Sequence, residues 1–277
     1  MSQTQTPPTD AERDAAAQAF ARIALAAGQA VMEVYAGECA ARVKADSSPV
    51  TEADVRAEAV ILARLAAEFP GLPVVAEESA ARGVVPLCGS RFILVDPLDG
   101  TREFLARNDE FTVNIALIDR GVPVAGVVYA PALSKLWFGG AAAWSCAATP
   151  GGDLPPASAW RKISARKPPA EGLVALCSRS HGDAGTEAFL AGHKIVGRVN
   201  AGSSLKFCLI AEGEADVYPR FGPTMEWDIA AGEAVLRAAG GRVLTPEGGQ
   251  LRYGKAAEGF RNGFFVAWGK VAQGKAA

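Results

Sequence analysis

A mixed fold in two parts is what this sequence predicts: an antiparallel α+β half packed on a layered α/β half. Three observations carry that prediction. Between residues 72 and 131 the apolar runs "LPVVAEES", "RFILVDPLDG", "EFTVNIALID" and "VAGVVYAP" follow one another, the last two across the tight turn "RGVP", as neighbouring antiparallel strands do. From residue 172 onward strands and short helices alternate, the pattern of a layered sheet. Between them residues 147–158, "AATPGGDLPPAS", break the texture with Pro and Gly. The expected units are therefore 10–158 and 159–270, joined as one continuous body.

Each element has a local reason. Residues 10–36 are rich in Ala, and Ile23, Ala27, Ala30, Val31 and Val34 recur as one helical face until Gly37. A second helix is expected after "SSPV", capped by Thr51, with Val55, Ala59, Leu62 and Ala66 as its apolar side and Pro70 as its end. The strand "RFILVDPLDG" should stop at Pro97, which fixes φ and lacks a donor. "KLWFGG" adds a further strand to this half. In the second half "GLVALCSRS", "HKIVGRVN", "DVYPRF", "GRVLTP" and "GFFVAWG" read as strands. "DAGTEAFLAG", "SSLKFCLIAEG" (capped by Ser203 or Ser204) and "DIAAGEAVLRAAGG" read as helices.

Composition excludes several classes. The 277 residues are 49% hydrophobic with a net charge of −2, so no basic surface for nucleic acid is expected. Cys39, Cys88, Cys146, Cys177 and Cys208 lie far apart without a CxxC pair, which argues for reduced thiols and against a zinc site or disulfide framework. No apolar run reaches the ~18 residues of a membrane span, and "MSQTQTPPTDAERD" lacks the make-up of a signal peptide. A soluble, cytoplasmic protein is expected. "GQLRYGK" and "GKVAQGK" match GxxxxGK but lack the Ser or Thr and the helix that a phosphate loop needs. His181 and His193 have no nucleophile or acid partner in sequence, and no GxSxG is present, so serine or cysteine hydrolysis is poorly supported.

The acids are the informative residues. Glu77, Asp96, Asp99 and Asp228 each stand where a strand ends or a helix begins. Each alone could be a cap: Asp228 would suit a helix dipole and Asp54, three after Thr51, a capping pair. Asp96 and Asp99 on either side of a proline turn are harder to explain that way. Two carboxylates held close repel unless a cation stands between them. Oxygen ligands without His or Cys point to Mg²⁺ or Mn²⁺, and paired ions about 3.5–4 Å apart suit phosphoryl chemistry. The three-residue spacing and the proline argue against the nucleophile-and-acid pair of aspartyl-phosphate enzymes.

"AEES", "DPLDGT" and "EWDIAAGEAVLRAAGG" resemble the signature segments of the lithium-sensitive, Mg²⁺-dependent inositol monophosphatase superfamily. "SSPVTEAD", "DPLDGTREF", "EFTVNIALIDRG", "GVVYAP", "SRSH", "GSSLKFCLIAEG" and "YPRFGPT" resemble its CysQ-type 3′(2′),5′-bisphosphate nucleotidase branch, over residues 15–268 or so. The resemblance implies a layered α-β-α-β-α sandwich of the inositol monophosphatase and fructose-1,6-bisphosphatase type. It implies metal ligation by Glu77, Asp96, the Leu98 carbonyl, Asp99 and Asp228, with two or three Mg²⁺ ions and Mn²⁺ as a substitute. Asp54 would help hold a further ion or its water, Thr101 with Glu77 or Asp54 would orient the attacking water, and Gly100 and Thr101 would offer N–H groups to the phosphate.

The implied reaction is hydrolysis of 3′-phosphoadenosine 5′-phosphate to AMP and phosphate, clearing a by-product of sulfate assimilation. Inositol 1-phosphate and fructose 1,6-bisphosphate are the alternative substrates, and a non-catalytic nucleotide- or metal-binding protein is the reading from another class. Arg179, Lys206 and Arg220 are candidates for the distal phosphate, and Ser203 and Ser204 could face substrate. The implied partner is a small nucleotide bisphosphate, and the implied protein is a monomer or homodimer, cytoplasmic or peripheral on the cytoplasmic face of the inner membrane as in some relatives. Two departures from the resemblance stand out, the long 147–158 insert and Glu226, an extra acid beside Asp228.

Overall fold

The computed structural model describes residues 6–37, 42–43, 49–178 and 184–270. Helix α1 spans Asp10–Tyr35 and starts at Thr9, whose hydroxyl accepts from the Glu12 N–H while the Glu12 carboxylate accepts from the Thr9 N–H. Helix α2 spans Glu52–Glu68 behind Thr51. Its buried side is not the expected one: Val55 is 48% exposed, whereas Ala53, Ala57, Ile61 and Leu65 are fully covered. Asp54 and Glu58 are buried beside those four. Their hydrogen bonds to neighbouring turns set the rotation of the helix, and Val55, Ala59 and Ala66 turn outward as a result.

Seven strands form the first sheet, in the order β3 (Val74–Ala76), β4 (Arg91–Asp99), β5 (Thr112–Asp119), β6 (Val122–Ala130), β7 (Lys135–Gly139), β8 (Ala143–Ala147) and β9 (Arg161–Ile163). Only β3 with β4 is parallel. The β5–β6 hairpin closes at Arg120 (φ 51°) and Gly121 (φ 75°), two left-handed residues as a tight primed turn requires. Pro97 does not stop β4, contrary to expectation. The strand runs on to Asp99, and its ladder to β5 breaks register between Asp96 and Asp99 instead. The loss of one donor is absorbed by an irregularity, as P-containing strands allow. The sheet is completed by β9, beyond the expected junction at 158, and the 147–158 insert lies against α1, with the Gly151 N–H donating to the Leu25 carbonyl.

The second sheet has five strands in the order β11 (Ile195–Ala201), β10 (Leu173–Ser178), β12 (Val217–Arg220), β16 (Phe265–Trp268) and β14 (Arg242–Leu244). Two short ladders complete the strands, β1 (Arg42–Val43) with β2 (Pro49–Val50) and β13 (Thr224–Met225) with β15 (Arg261–Asn262). The remaining helices are α3 (Glu77–Ala81), α4 (Thr101–Leu105), α5 (Ala184–Ala191), α6 (Leu205–Ala211) and α7 (Glu226–Ala238).

Layers follow from which faces are apolar. The central strands are buried on both sides, so their residues sort by parity. Ile93, Val95, Ile115 and Val127 pack with α1 and α2, while Phe92, Leu94, Ala116 and Val128 pack with α6 and α7. The α6–α7 layer in turn covers one side of the second sheet, and α5 packs on β12. The result is an α-β-α-β-α sandwich. Helix α7 approaches the first sheet so closely that a Cβ on Gly126 would lie 2.8 Å from the Ala234 Cβ, and one on Gly139 would lie 2.9 Å from the Val235 Cα.

Two outcomes are expected. Gly126→Ala should push α7 off the sheet and cost about 1–3 kcal/mol, read as a lower urea midpoint. The second concerns Glu233 on α7, which accepts from the buried Tyr253 hydroxyl at 2.6 Å. Burial pushes its carboxyl up to about 7, from an ordinary 4.5. A folded-state value above the unfolded one means that the stability it contributes is complete below about pH 4.5 and is lost as pH rises through about 7. Glu233→Gln should flatten the fall in urea midpoint between about pH 5 and 8.

Candidate active site

One cavity of about 280 Å³ lies between the β4–α4 turn and the starts of α6 and α7, lined by Glu77, Asp99, Gly100, Thr101, Ser203, Lys206, Arg220 and Asp228 among others. Its size is near the low end of the ~300–1,000 Å³ usual for small-molecule sites. Strand parity explains who arrives there. Asp96 shares the even-numbered side of β4 with Phe92 and Leu94 and pairs with Asn114 of β5. That side faces α6 and α7, so the Ser203–Ser204 turn before α6 and Asp228 in the first turn of α7 meet the end of β4 from the other half.

Three of the acids are anchored by a local donor. Asp96 Oδ1 accepts from the Leu98 N–H at 3.1 Å. Asp228 Oδ2 accepts from the Met225 N–H at 2.7 Å, reaching back to the start of α7. Asp54 Oδ2 accepts from both the N–H and the hydroxyl of Thr51 at 2.7 Å. Its other oxygen, Oδ1, lies 3.4 Å from Thr101 Oγ1, which also stands 3.4 Å from the Leu98 carbonyl. The capping reading holds at Asp54 and Asp228, each of which accepts from a backbone N–H at the start of its helix. Gly100 adopts φ 93°, a left-handed turn that brings the chain from β4 into α4 and that glycine takes at no steric cost.

The electrostatics are those of a site short of positive charge. Burial raises the Asp99 carboxyl, opposed by the Ser203 hydroxyl and by Lys206. Burial raises Asp228 further, assisted by the negative charges of Asp99 and Glu77. Lys206 is buried and its ammonium is pushed down to about 8, with Asp99 acting against that shift. It donates to the carbonyls of Ala201 (3.0 Å) and Ser203 (2.7 Å). Arg220 is 9% exposed and donates to the Pro223 carbonyl at 3.3 Å, while its Nε has no partner.

The donor set fits a hard divalent cation, being all oxygen and ionisable at a cost that a cation would offset. Among the described residues no three His, Cys, Asp or Glu side chains already stand together as a metal cluster. Mg²⁺ keeps several waters and takes one or two carboxylates per ion, so acids spaced along a cavity wall are compatible with it.

Several expectations are revised by this geometry. The Ser203 and Ser204 hydroxyls do not cap α6; they donate to Asp99 Oδ2 at 2.6 Å and to the Asp228 carbonyl at 2.8 Å. Glu226 does not add charge to the cavity. It is fully buried, accepts from the N–H groups of Gly254 and Lys255 and pairs with the Lys255 ammonium at 2.7 Å. The "GQLRYGK" segment thus binds a carboxylate of its own chain. His193 stacks on Phe189 and meets its carbonyl at 2.9 Å, a packing role. Arg179 and His181 lie outside the described residues.

Sequence reasoning missed Glu58, Thr112 and Asn114. Glu58 accepts from the N–H of Glu78 (2.7 Å), the hydroxyl of Ser79 (2.7 Å) and the guanidinium of Arg82 (3.1 Å). It holds the α3 turn that begins at Glu77. The signal was present: Glu58 follows Asp54 by four residues and so lies one helical turn on, along the side that is buried.

The scan of family models matches residues 12–274 to the inositol monophosphatase family. The chain belongs to that family. Among curated relatives it is 44% identical to the 3′(2′),5′-bisphosphate nucleotidase CysQ of Shigella flexneri, over 89% of this chain and 97% of that protein. It is 43% identical to the protein of the same name from Escherichia coli K12, with the same coverage. Among solved structures, CysQ from Bacteroides thetaiotaomicron superposes with a TM-score of 0.76 at 38% identity, over 93% of this chain and 98% of that one. An inositol monophosphatase from Anabaena sp. PCC 7120 shares the family fold, with a TM-score of 0.70 at 24% identity. The expected sandwich and the expected family are both borne out. No helix among the described residues is long and apolar enough to cross a membrane.

The Glu58 anchor is testable. Glu58→Gln replaces one acceptor oxygen by a donor facing other donors, so stability should fall by about 1–3 kcal/mol. Phosphatase activity should fall more than the unfolded fraction accounts for, since Glu77 loses its support. Urea unfolding and phosphate release on the same preparation check this, with the exposed Glu68→Gln as the control.

Proposed function

We propose that this chain is a Mg²⁺-dependent 3′(2′),5′-bisphosphate nucleotidase that hydrolyses 3′-phosphoadenosine 5′-phosphate to AMP and phosphate. The observation that carries this is convergence. Glu77, Asp99, Asp228, the Thr101 hydroxyl and the buried cations Lys206 and Arg220, drawn from segments as far apart as residues 77 and 228, line one cavity in a chain 43–44% identical to CysQ proteins over 89% of its length.

Glu77, Asp96, the Leu98 carbonyl, Asp99 and Asp228 would hold two or three Mg²⁺ ions, with Mn²⁺ able to replace them. Held there, the ions would supply Lewis-acid neutralisation of the phosphoryl charge, without which phosphate monoesters are among the slowest esters to hydrolyse. The protein supplies the rest. Thr101 Oγ1 accepts a proton from the attacking water and passes its own toward Asp54 Oδ1, 3.4 Å away. The backbone N–H groups of Gly100 and Thr101 face the phosphate at the turn into α4. Lys206 and Arg220, buried in the cavity lining, meet the second phosphate of the substrate. Charge-assisted bonds of this kind are about twice as strong as neutral ones, which favours a doubly phosphorylated ligand over a monophosphate. The cytoplasm is the proposed compartment.

The test is phosphate release from 3′-phosphoadenosine 5′-phosphate, inositol 1-phosphate and fructose 1,6-bisphosphate, with Mg²⁺ and with or without Li⁺. The nucleotide should exceed the other two by at least about tenfold in kcat/KM, a difference of ~1.4 kcal/mol, and Li⁺ should inhibit. Comparable turnover of inositol 1-phosphate would replace the narrow assignment by the broader one. Asp96→Asn should lower kcat by about 100-fold or more with an unchanged circular-dichroism spectrum.

A further inference from the structure

Two hydroxyl relays leave β5 on the side that faces α6 and α7. Thr112 and Asn114 stand two residues apart and therefore share a face of the strand. Ser204 Oγ donates to the Asp228 carbonyl at 2.8 Å and accepts from Asn114 Nδ2 at 3.1 Å. Ser203 Oγ donates to Asp99 Oδ2 at 2.6 Å. The Thr112 hydroxyl lies 2.6 Å from that of Ser203 and donates to Asn114 Oδ1 at 3.0 Å, so Thr112, Asn114 and Ser203 form one network beside Asp99. Asn114 Nδ2 approaches the same Asp99 Oδ2 at 3.4 Å. Both contacts fall on one oxygen of the carboxylate.

Ser203 also has an unfavourable backbone. Its φ is 50°, in the left-handed region that crowds any residue with a Cβ and that glycine occupies readily. Strained residues of this kind persist where the surroundings over-determine them. Here the surroundings are the Thr112 hydroxyl on one side and the Asp99 carboxylate on the other. The Lys206 ammonium holds its carbonyl at 2.7 Å as well, and the hydroxyl contacts are what a glycine here would lose.

We infer that Ser203 is a positioning residue for Asp99: its hydroxyl, backed by Thr112, locks the rotation of the carboxylate by holding Oδ2, and so presents Oδ1 to a cation in the cavity. This rests on the proposed role of Asp99 as a metal ligand. It also reassigns Ser203, whose proton is already used and is not free to donate to substrate.

The test is Mn²⁺ binding to metal-free protein, followed by the free-ion paramagnetic resonance signal, together with thermal unfolding of the same samples. Ser203→Gly and Ser203→Ala both remove the hydroxyl, and both should weaken Mn²⁺ binding by about tenfold or more, the usual loss when the partner of a ligand is removed. Their stabilities should separate, with Ser203→Gly unfolding at the higher temperature because glycine relieves the left-handed strain. Wild-type affinity in Ser203→Gly would overturn the inference, as would affinities that simply follow the unfolding temperatures. Asp99→Asn separates the two levels. If it leaves Mn²⁺ binding unchanged, the ligand role of Asp99 fails and the Ser203 role with it. If it weakens binding while Ser203→Gly does not, the role of Ser203 alone is overturned.

Discussion

Repulsion among desolvated carboxylates is the constraint on which the rest of this structure depends. Asp99 and Asp228 are half-buried, desolvation disfavours the ionised form of both, and the charge of Asp99 adds to that cost at Asp228. Such a group persists only when each member has a fixed donor and the ensemble has a source of positive charge. The fold meets the first requirement with backbone: the Leu98, Met225 and Thr51 N–H groups each take one oxygen of an acid. It meets part of the second with Lys206 and Arg220, and an oxygen-ligated cation is the remaining part. The same anchoring explains why α2 is rotated away from its most evident apolar stripe.

Helix α7 connects this constraint to the sandwich. It is buried along most of its length, closes over Gly126 and Gly139 of the first sheet and packs toward the second. Its first turn carries Asp228 into the cavity. Its Glu226 and Glu233 point elsewhere, to the 253–255 segment. Three acids within eight residues thus do different work, and only position on the helix separates them.

Much of this was legible in the sequence, and the reasons are specific. The hairpin at Arg120–Gly121 and the start of α2 behind Thr51 follow from local backbone and capping preference. "DPLDGT" drew attention because acids beside a proline in an apolar run are costly. What stayed hidden depended on pairing across the chain. Nothing local marks Thr112 and Asn114 as supports, since they read as ordinary strand residues until Ser203 and Ser204 arrive about 90 positions later. Glu226 looked like a site acid because sequence places it beside Asp228, yet two residues along a helix turn a side chain by roughly 200°. The rotation of α2 was misread because Val55 and Leu62 outweigh Ala53 and Ala57 in hydrophobicity, while burial was decided by Asp54 and Glu58.

The order of synthesis gives the α7 seam a cost during biogenesis. Strands β3 to β9 are all made by residue 163, but the sheet face bearing Phe92, Leu94, Ala116, Ile118, Val128 and Trp137 is covered by a helix that ends at Ala238. At about 5–20 residues per second, the ribosome leaves that greasy surface bare for roughly 4–15 s. A nascent chain of this protein is thus a client for chaperones throughout that interval, whatever the stability of the finished molecule.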